Sequence, residues 1–251
     1  MISRYEAYMD GEALSSVDSS IYVLDIQYGS PSYSIRTSKI SGRPGARVVK
    51  KESESTPVTI LFEIHEYDTA KRQAVCQKVQ KWANGKILAV SDRPNQQLRA
   101  VCQTFPVINA KAWTDPVSMT FVGYNPPYWE EKNQTLVKIT GASGNKKAFV
   151  PGNAGEALVE LTVKANASAS GFTAAVAGHQ LTVIVPMAAN DTVTISYDEN
   201  MIQSIKKGNT SILDKRTGAD DLLAVSGETN TFEISSDASV TATFAVRGCW
   251  R

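Results

Sequence analysis

The chain of 251 residues is long enough to bury one large or two medium cores without metal or disulfide staples. Its 26 basic and 25 acidic residues nearly cancel, which excludes a protein that finds nucleic acid or an acidic partner through bulk charge. Three cysteines (Cys76, Cys102 and Cys249) are too few and too widely spaced for a zinc ribbon or a disulfide framework. They are expected to be reduced and mostly buried, and the absence of a signal-type leader or a run of about 18 apolar residues points to a soluble chain not secreted by a cleaved signal.

In chain order, residues 22–26 and 58–65 are predicted strands. Val58, Ile60, Phe62 and Ile64 alternate with Thr59, Leu61, Glu63 and His65, which offers one face to a core. A helix is predicted from about residue 69 to 84, with Asp68 at the N-cap and Asn84-Gly85 as a left-handed stop. Val75, Val79 and Trp82, spaced i, i+4 and i+7, form its apolar stripe, while Lys71, Lys78 and Lys81 lie mostly off it, so the helix should pack on a sheet.

After the helix come a strand at 87–90, a tight turn at Asp92-Arg93-Pro94-Asn95-Gln96 and a strand at 97–104. The stretch 113–130 follows, in which Val117, Met119, Phe121 and Gly123 share one parity and Ser118, Thr120, Val122 and Tyr124 the other. Pro126-Pro127 then removes two backbone donors in succession, so the chain must leave its sheet there.

Beyond residue 130 the pattern changes to short strands separated by clusters of Gly, Asn and Asp. Strands are predicted at 135–140, 157–164, 180–186, 192–197, 231–234 and 239–246, with a turn at 141–145, as in a β-sandwich. Two domains follow, 1–130 and 131–251.

Few residues suggest chemistry. His65 and His179 fall in different domains and in no metal-binding spacing, and the nucleophile-elbow, phosphate-loop and dinucleotide motifs are all missing. Glu130-Glu131 and Asp220-Asp221 are adjacent pairs, whose side chains diverge on a strand and are solvated on a turn. Catalysis, a metal and a cofactor are not expected. The four N-x-Ser/Thr sequons at Asn133, Asn166, Asn190 and Asn209 arise readily in a chain this rich in Ser and Thr.

One segment departs from charge balance. Between residues 26 and 51 stand Arg36, Lys39, Arg43, Arg47, Lys50 and Lys51 with no acidic residue, among Pro31, Gly42, Pro44 and Gly45. It reads as a mobile basic loop, either solvated or docking on an acidic surface or facing passing DNA.

Three features taken in order carry a resemblance: the helix ending at Trp82-Ala83-Asn84-Gly85, the turn Ser91-Asp92-Arg93-Pro94, and the exit Asn125-Pro126-Pro127-Tyr128-Trp129-Glu130. With the ending Val246-Arg247-Gly248-Cys249-Trp250-Arg251, they resemble the distal tail protein family of long-tailed siphophages. The resemblance implies a mainly β protein, with an N-terminal β-sandwich carrying one α-helix and a C-terminal galectin-like β-sandwich. It further implies a non-enzymatic virion structural protein of the short, armless type, assembled in the host bacterial cytoplasm and located at the virion tail tip or baseplate.

Six copies would close into a homohexameric ring with a channel through which DNA passes without specific binding. The implied partners are other copies of itself, the tail tube protein, the tape measure protein and a tip or receptor-binding protein, with no membrane contact. Pro126, Pro127, Tyr128 and Trp129 are expected to pack the domain junction. A galectin-type sugar site is not expected, because the second domain offers only His179 and the terminal Trp250. The alternative is an adhesin or carbohydrate-binding module that uses the C-terminal sandwich.

Overall fold

The computed structural model describes residues 5–30, 33–39, 41, 46–106, 116–218 and 221–251. The chain is mainly β and separates into two compact units, one of residues 1–129 with Arg251 and one of residues 130–250.

The first unit contains β1 (Ala7–Met9), β2 (Glu12–Ala13), α1 (Leu14–Val17), β3 (Ile21–Tyr28), β4 (Tyr33–Lys39), β5 (Ala46–Ser53), β6 (Val58–Ile64), α2 (Thr69–Trp82), β7 (Ile87–Val90), β8 (Gln96–Thr104) and β9 (Val117–Gly123). Its main sheet runs β2-β1-β7-β8-β9-β6-β3. The alternation anticipated in β6 holds at every position: Val58, Ile60, Phe62 and Ile64 are buried, and the strand is paired on both sides, with β3 and with β9. A strand flanked on both edges has every ladder bond satisfied, so its placement is set by which parity is apolar. Residues 113–115, which begin the stretch expected to lead into β9, lie outside the described residues.

Helix α2 starts where expected, the Asp68 carboxylate accepting from Ala70 N at 2.8 Å and Lys71 N at 3.2 Å. Val75, Val79 and Trp82 face the core, joined by Cys76 and the buried Arg72, which the apolar stripe did not include. Trp82 locks the helix down: its indole N–H donates to Glu12 O at 2.8 Å, and its ring meets Phe121 edge-on at 6.2 Å.

The helix end differs from expectation. Neither Asn84 nor Gly85 takes a left-handed conformation, and the C-cap Ala83 is still right-handed. Glycine is needed at 85 for close approach instead, since a Cβ there would lie 2.3 Å from Met9 Cγ and 2.6 Å from Asp10 Oδ2. The four-residue α1, absent from the sequence-based reading, has no side-chain cap and is held by the fully buried Leu14.

The second unit contains β10 (Trp129–Glu131, its first residue closing the first unit), β11 (Thr135–Val150), β12 (Glu156–Ala165), β13 (Ala169–Val176), β14 (His179–Met187), β15 (Thr192–Tyr197), β16 (Gln203–Lys207), β17 (Thr210–Ser211), β18 (Arg216–Gly218), β19 (Leu223–Val225), β20 (Glu228–Val246) and β21 (Cys249–Trp250). The order β17-β16-β15-β12-β20-β13-β14-β18 describes its main sheet path, with β11 on β20 and β19 on β12.

The turn expected at 141–145 is no turn. β11 continues through it, paired with β20, and only slips register between Gly141 and Ser143. β20 serves two neighbours in turn, β13 along residues 232–236 and β12 along residues 240–246, so a single strand links both halves of the path. A bulge lets a long strand bend without leaving its ladder, which is why glycine and asparagine there did not end it. Phe232 and Phe244, both fully buried on β20, meet edge-on at 5.4 Å and centre the core.

Cys76, Cys102 and Cys249 are unpaired, with Cys76 and Cys249 buried and Cys102 half-buried. Burial pushes Cys76 up to about 11, and burial with the nearby Glu130 carboxylate pushes Cys249 up to about 12. Both start near 9 in the unfolded chain. Raised folded values mean that the unfolded state loses its protons first, so the stability tied to the neutral thiols is complete below pH 9 and drains as pH rises through 11 and 12. Melting temperature should therefore fall across that window under reducing conditions. The fall should be shallower in Cys249→Ala, and a slope identical to wild type would refute the assignment.

Candidate docking surfaces

The basic segment is not a loop where it is described. β4 and β5 form an antiparallel ribbon of two strands, with Arg36 opposite Lys50, Ile35 opposite Lys51, Ser38 opposite Arg47 and Lys39 opposite Ala46. Strand pairing was missed because the apolar residues do not alternate cleanly here and both faces are solvated. Arg36, Lys39, Arg47 and Lys50 are exposed, Lys51 belongs to β5, and Arg43 lies outside the described residues.

Ile35, Val48 and Val49 are 56%, 56% and 59% exposed on the same ribbon. A two-stranded ribbon is marginal alone in water, and cations directly opposed across it, as Arg36 and Lys50 are, weaken it further. Apolar and basic side chains exposed together therefore suit a partner surface that is partly apolar and partly acidic.

The turn at 91–94 and the exit at 125–130, far apart in sequence, meet in the first unit. The Tyr28 hydroxyl donates to the Asp92 carboxylate, 2.7 Å from either oxygen. The Arg93 guanidinium carbon lies 4.3 Å from the centroid of the Tyr28 ring and 5.1 Å from that of Trp129, whose ring meets Tyr28 edge-on at 6.1 Å. Trp129 is 2% exposed. Burial and then the Asp92 carboxylate hold the Tyr28 hydroxyl well above its ordinary range, so it stays a donor.

Pro126, Pro127 and Tyr128 are half-buried beside this cluster in the chain, and the Asn125–Pro126 bond is cis. Sequence reading placed Trp129 at a boundary but missed Tyr28, whose strand parity gives no sign of a partner 64 residues away.

The chain ending closes the second unit. Trp250 Nε1 donates to Glu131 Oε1 at 2.8 Å, Arg247 Nη1 donates to Glu131 O at 3.0 Å and also to Lys132 O, and Glu131 N donates to Gly248 O at 2.9 Å. Gly248 permits this, since a Cβ would stand 1.9 Å from Pro151 O. Trp250 is thus committed to Glu131, and His179 stands on β14, in another sheet.

His65 is held by Glu63 at 2.7 Å and stacks at a tilt on Tyr22 at 4.5 Å, which accounts for it by local packing. Among the described residues no group of three His, Cys, Asp or Glu gathers as a metal site would require, and no helix is long and apolar enough to cross a membrane. Asp220 lies outside the described residues.

Two open cavities are shallow. One of about 480 Å³ lies against Met9, Asp10, Lys78 and Trp82, where Asp10 already accepts from Lys86 N and Ile87 N. The other, of about 540 Å³, lies over Asn145, Thr173, Gln180 and Glu233.

No family model matches this sequence, and no curated protein matches it. Solved structures do. The chain is similar to the SPP1 Dit (gp 19.1) protein, described as a paradigm of the hub adsorption apparatus in phages infecting Gram-positive bacteria, with a TM-score of 0.68 at 10% identity over 97% of this chain and 98% of that one. Chains of the phage P2 baseplate in its activated conformation, with Ca and with Sr, align over 99% and 97% of this chain at 10% identity and a TM-score of 0.49. The expected resemblance is borne out at the level of the fold: this chain has the fold of the SPP1 Dit protein along nearly its whole length.

Proposed function

We propose that this chain is a distal tail protein, a non-enzymatic hub at the tip of a siphophage tail that joins the tail tube to the tip or baseplate. The observation that carries this reading is the two-unit likeness to the SPP1 Dit hub, which covers 97% of one chain and 98% of the other. Matching both units in order is a stronger constraint than matching either sandwich, since sandwiches host many unrelated functions. The exit motif and the chain ending add support, because the residues that suggested the family are engaged in closing the two units.

In this reading six copies close head to tail into a ring around a channel for DNA. The tail tube and tape measure proteins lie on one side and a tip or receptor-binding protein on the other, at the tail tip of a virion built in the bacterial cytoplasm. A closed ring needs two different, complementary faces on each subunit. Among the described residues β3 ends the first unit's sheet with β6 on one side only, and an edge strand of that length can extend a neighbour's sheet. The β4–β5 ribbon supplies a second, basic and apolar face.

Negative-stain micrographs of purified protein, with and without its tube protein, test the ring. Six-fold annuli are expected, and their absence in both samples would refute it. Arg36→Glu with Arg47→Glu should cut ring yield by about tenfold while leaving the melting temperature of the monomer nearly unchanged, as for exposed residues. Rings at the wild-type yield would show that the ribbon carries no interface. A monomer that binds glycans on an array would favour the adhesin alternative.

A further inference from the structure

The outward side of one half of the second unit's sheet carries a charge pattern that ring formation in the first unit does not use. Cross-strand partners share a face, so the register defines it. One row runs Lys138, Thr243, Thr162, Thr194, Lys206 across β11, β20, β12, β15 and β16. The adjacent row runs Thr140, Thr241, Lys164, Thr192. The alternate residues Val137, Ile139, Val163, Ala242, Phe244, Val193 and Ile205 are buried, which confirms that these rows point outward.

Lys138, Lys164 and Lys206 are exposed, and among the described residues none forms an ion pair. Lys138 and Lys206 stand four strands apart, about 19 Å at ~4.8 Å per strand, and Lys164 lies between them one row away, about 12 Å from each. Threonine hydroxyls fill the space, with Thr140 Oγ1 and Thr241 Oγ1 3.3 Å apart and Asn166 Nδ2 donating to Thr241 Oγ1 at 3.1 Å. The adjoining row on this face carries the exposed Leu136 and, among the described residues, one carboxylate, Glu160, which accepts from Gln134 Nε2 at 3.1 Å.

We infer that this face binds a linear anionic polysaccharide, its sulfate or phosphate groups on the three lysines and its hydroxyls on the threonine rows. A protein partner fits less well. Protein interfaces are anchored by aromatic, Met or Arg side chains and are depleted in Lys, whereas the two rows hold only Lys and Thr. An exposed face of long cations separated by short hydroxyls matches a hydrated chain of spaced charges. The inference concerns the second unit alone, so its failure would leave the hub reading standing.

Dextran sulfate is the probe, titrated against the full chain by fluorescence anisotropy at low salt, with neutral dextran, polyglutamate and duplex DNA as separate arms. Dextran sulfate is expected to bind, with log affinity falling linearly with log salt at a slope of about two to three, one counterion for each lysine engaged. Lys138→Glu with Lys164→Glu and Lys206→Glu should weaken binding by at least about tenfold. The triple Lys→Gln variant serves if the reversed one does not fold, and Thr162→Val with Thr194→Val and Thr243→Val should weaken binding severalfold at an unchanged salt slope. Neutral dextran should not bind. Equal affinity of wild type and the lysine variants for dextran sulfate would overturn the assignment. Equal or tighter binding of polyglutamate or DNA would overturn it in favour of a protein or nucleic-acid partner.

Discussion

Trp129→Ala is expected to lower the stability of the first unit by about 3–5 kcal/mol, the usual cost of deleting a buried Trp. The ring is 2% exposed, edge-on to Tyr28, and under the Arg93 guanidinium. Removing it leaves a void and strips one aromatic face from an arginine that needs it, which adds to the loss. Tyr28→Phe should cost a fraction as much, because it keeps the ring contacts and deletes only the hydrogen bond to the exposed Asp92 carboxylate.

Urea unfolding checks the order of the two effects. An unfolding free energy for Trp129→Ala within about 0.5 kcal/mol of wild type would mean that the tryptophan is dispensable to the first unit. The same substitution should speed protease cleavage within residues 124–134, since Trp129 is the last residue of this stretch that belongs to the first unit and is buried in it. This bears on the proposed domain-junction role of Pro126, Pro127, Tyr128 and Trp129. If cutting within 124–134 is unchanged while stability falls, the tryptophan is a core residue and nothing more.

Phe244→Ala is expected to cost about 3–5 kcal/mol in the second unit. Phe244 is fully buried, pairs edge-on with Phe232 and sits on β20, opposite Val137 of β11 and Leu161 of β12. A cavity there loosens three strands at once. Phe244→Leu should recover much of the loss by refilling the volume but not the ring contact, worth about 0.5–1.5 kcal/mol. Two separate thermal transitions should appear, only the one belonging to the second unit shifting. A shift in both, or in neither, would contradict the placement of this residue in a core of its own.

How much could be read before folding depended on the range of the interactions. The β6 face, the Asp68 cap and the Val75–Val79–Trp82 stripe were legible because each is specified by residues within two turns or one strand. The glycines were misread where their reason is distant. Gly85 looked like a helix stop, but it is small because Met9 and Asp10 approach it, and Gly141 to Asn145 looked like a turn because nothing local reports that β20 is alongside. The basic segment looked like a loop for a related reason, since a ribbon solvated on both faces has no apolar parity to betray it.

The amino-acid order by itself determined the mainly β class, the α2 start, the parity of the core strands and the absence of a local catalytic motif, because these follow from periodicity and backbone chemistry over a few residues. Only the tertiary structure decided that Tyr28, Asp92, Arg93 and Trp129 form one cluster, that Trp250 is tied to Glu131, and that Lys138, Lys164 and Lys206 share a face. These meetings join residues tens of positions apart through strand register. Register is settled by the packing of whole strands against a core, and no short window of sequence contains it.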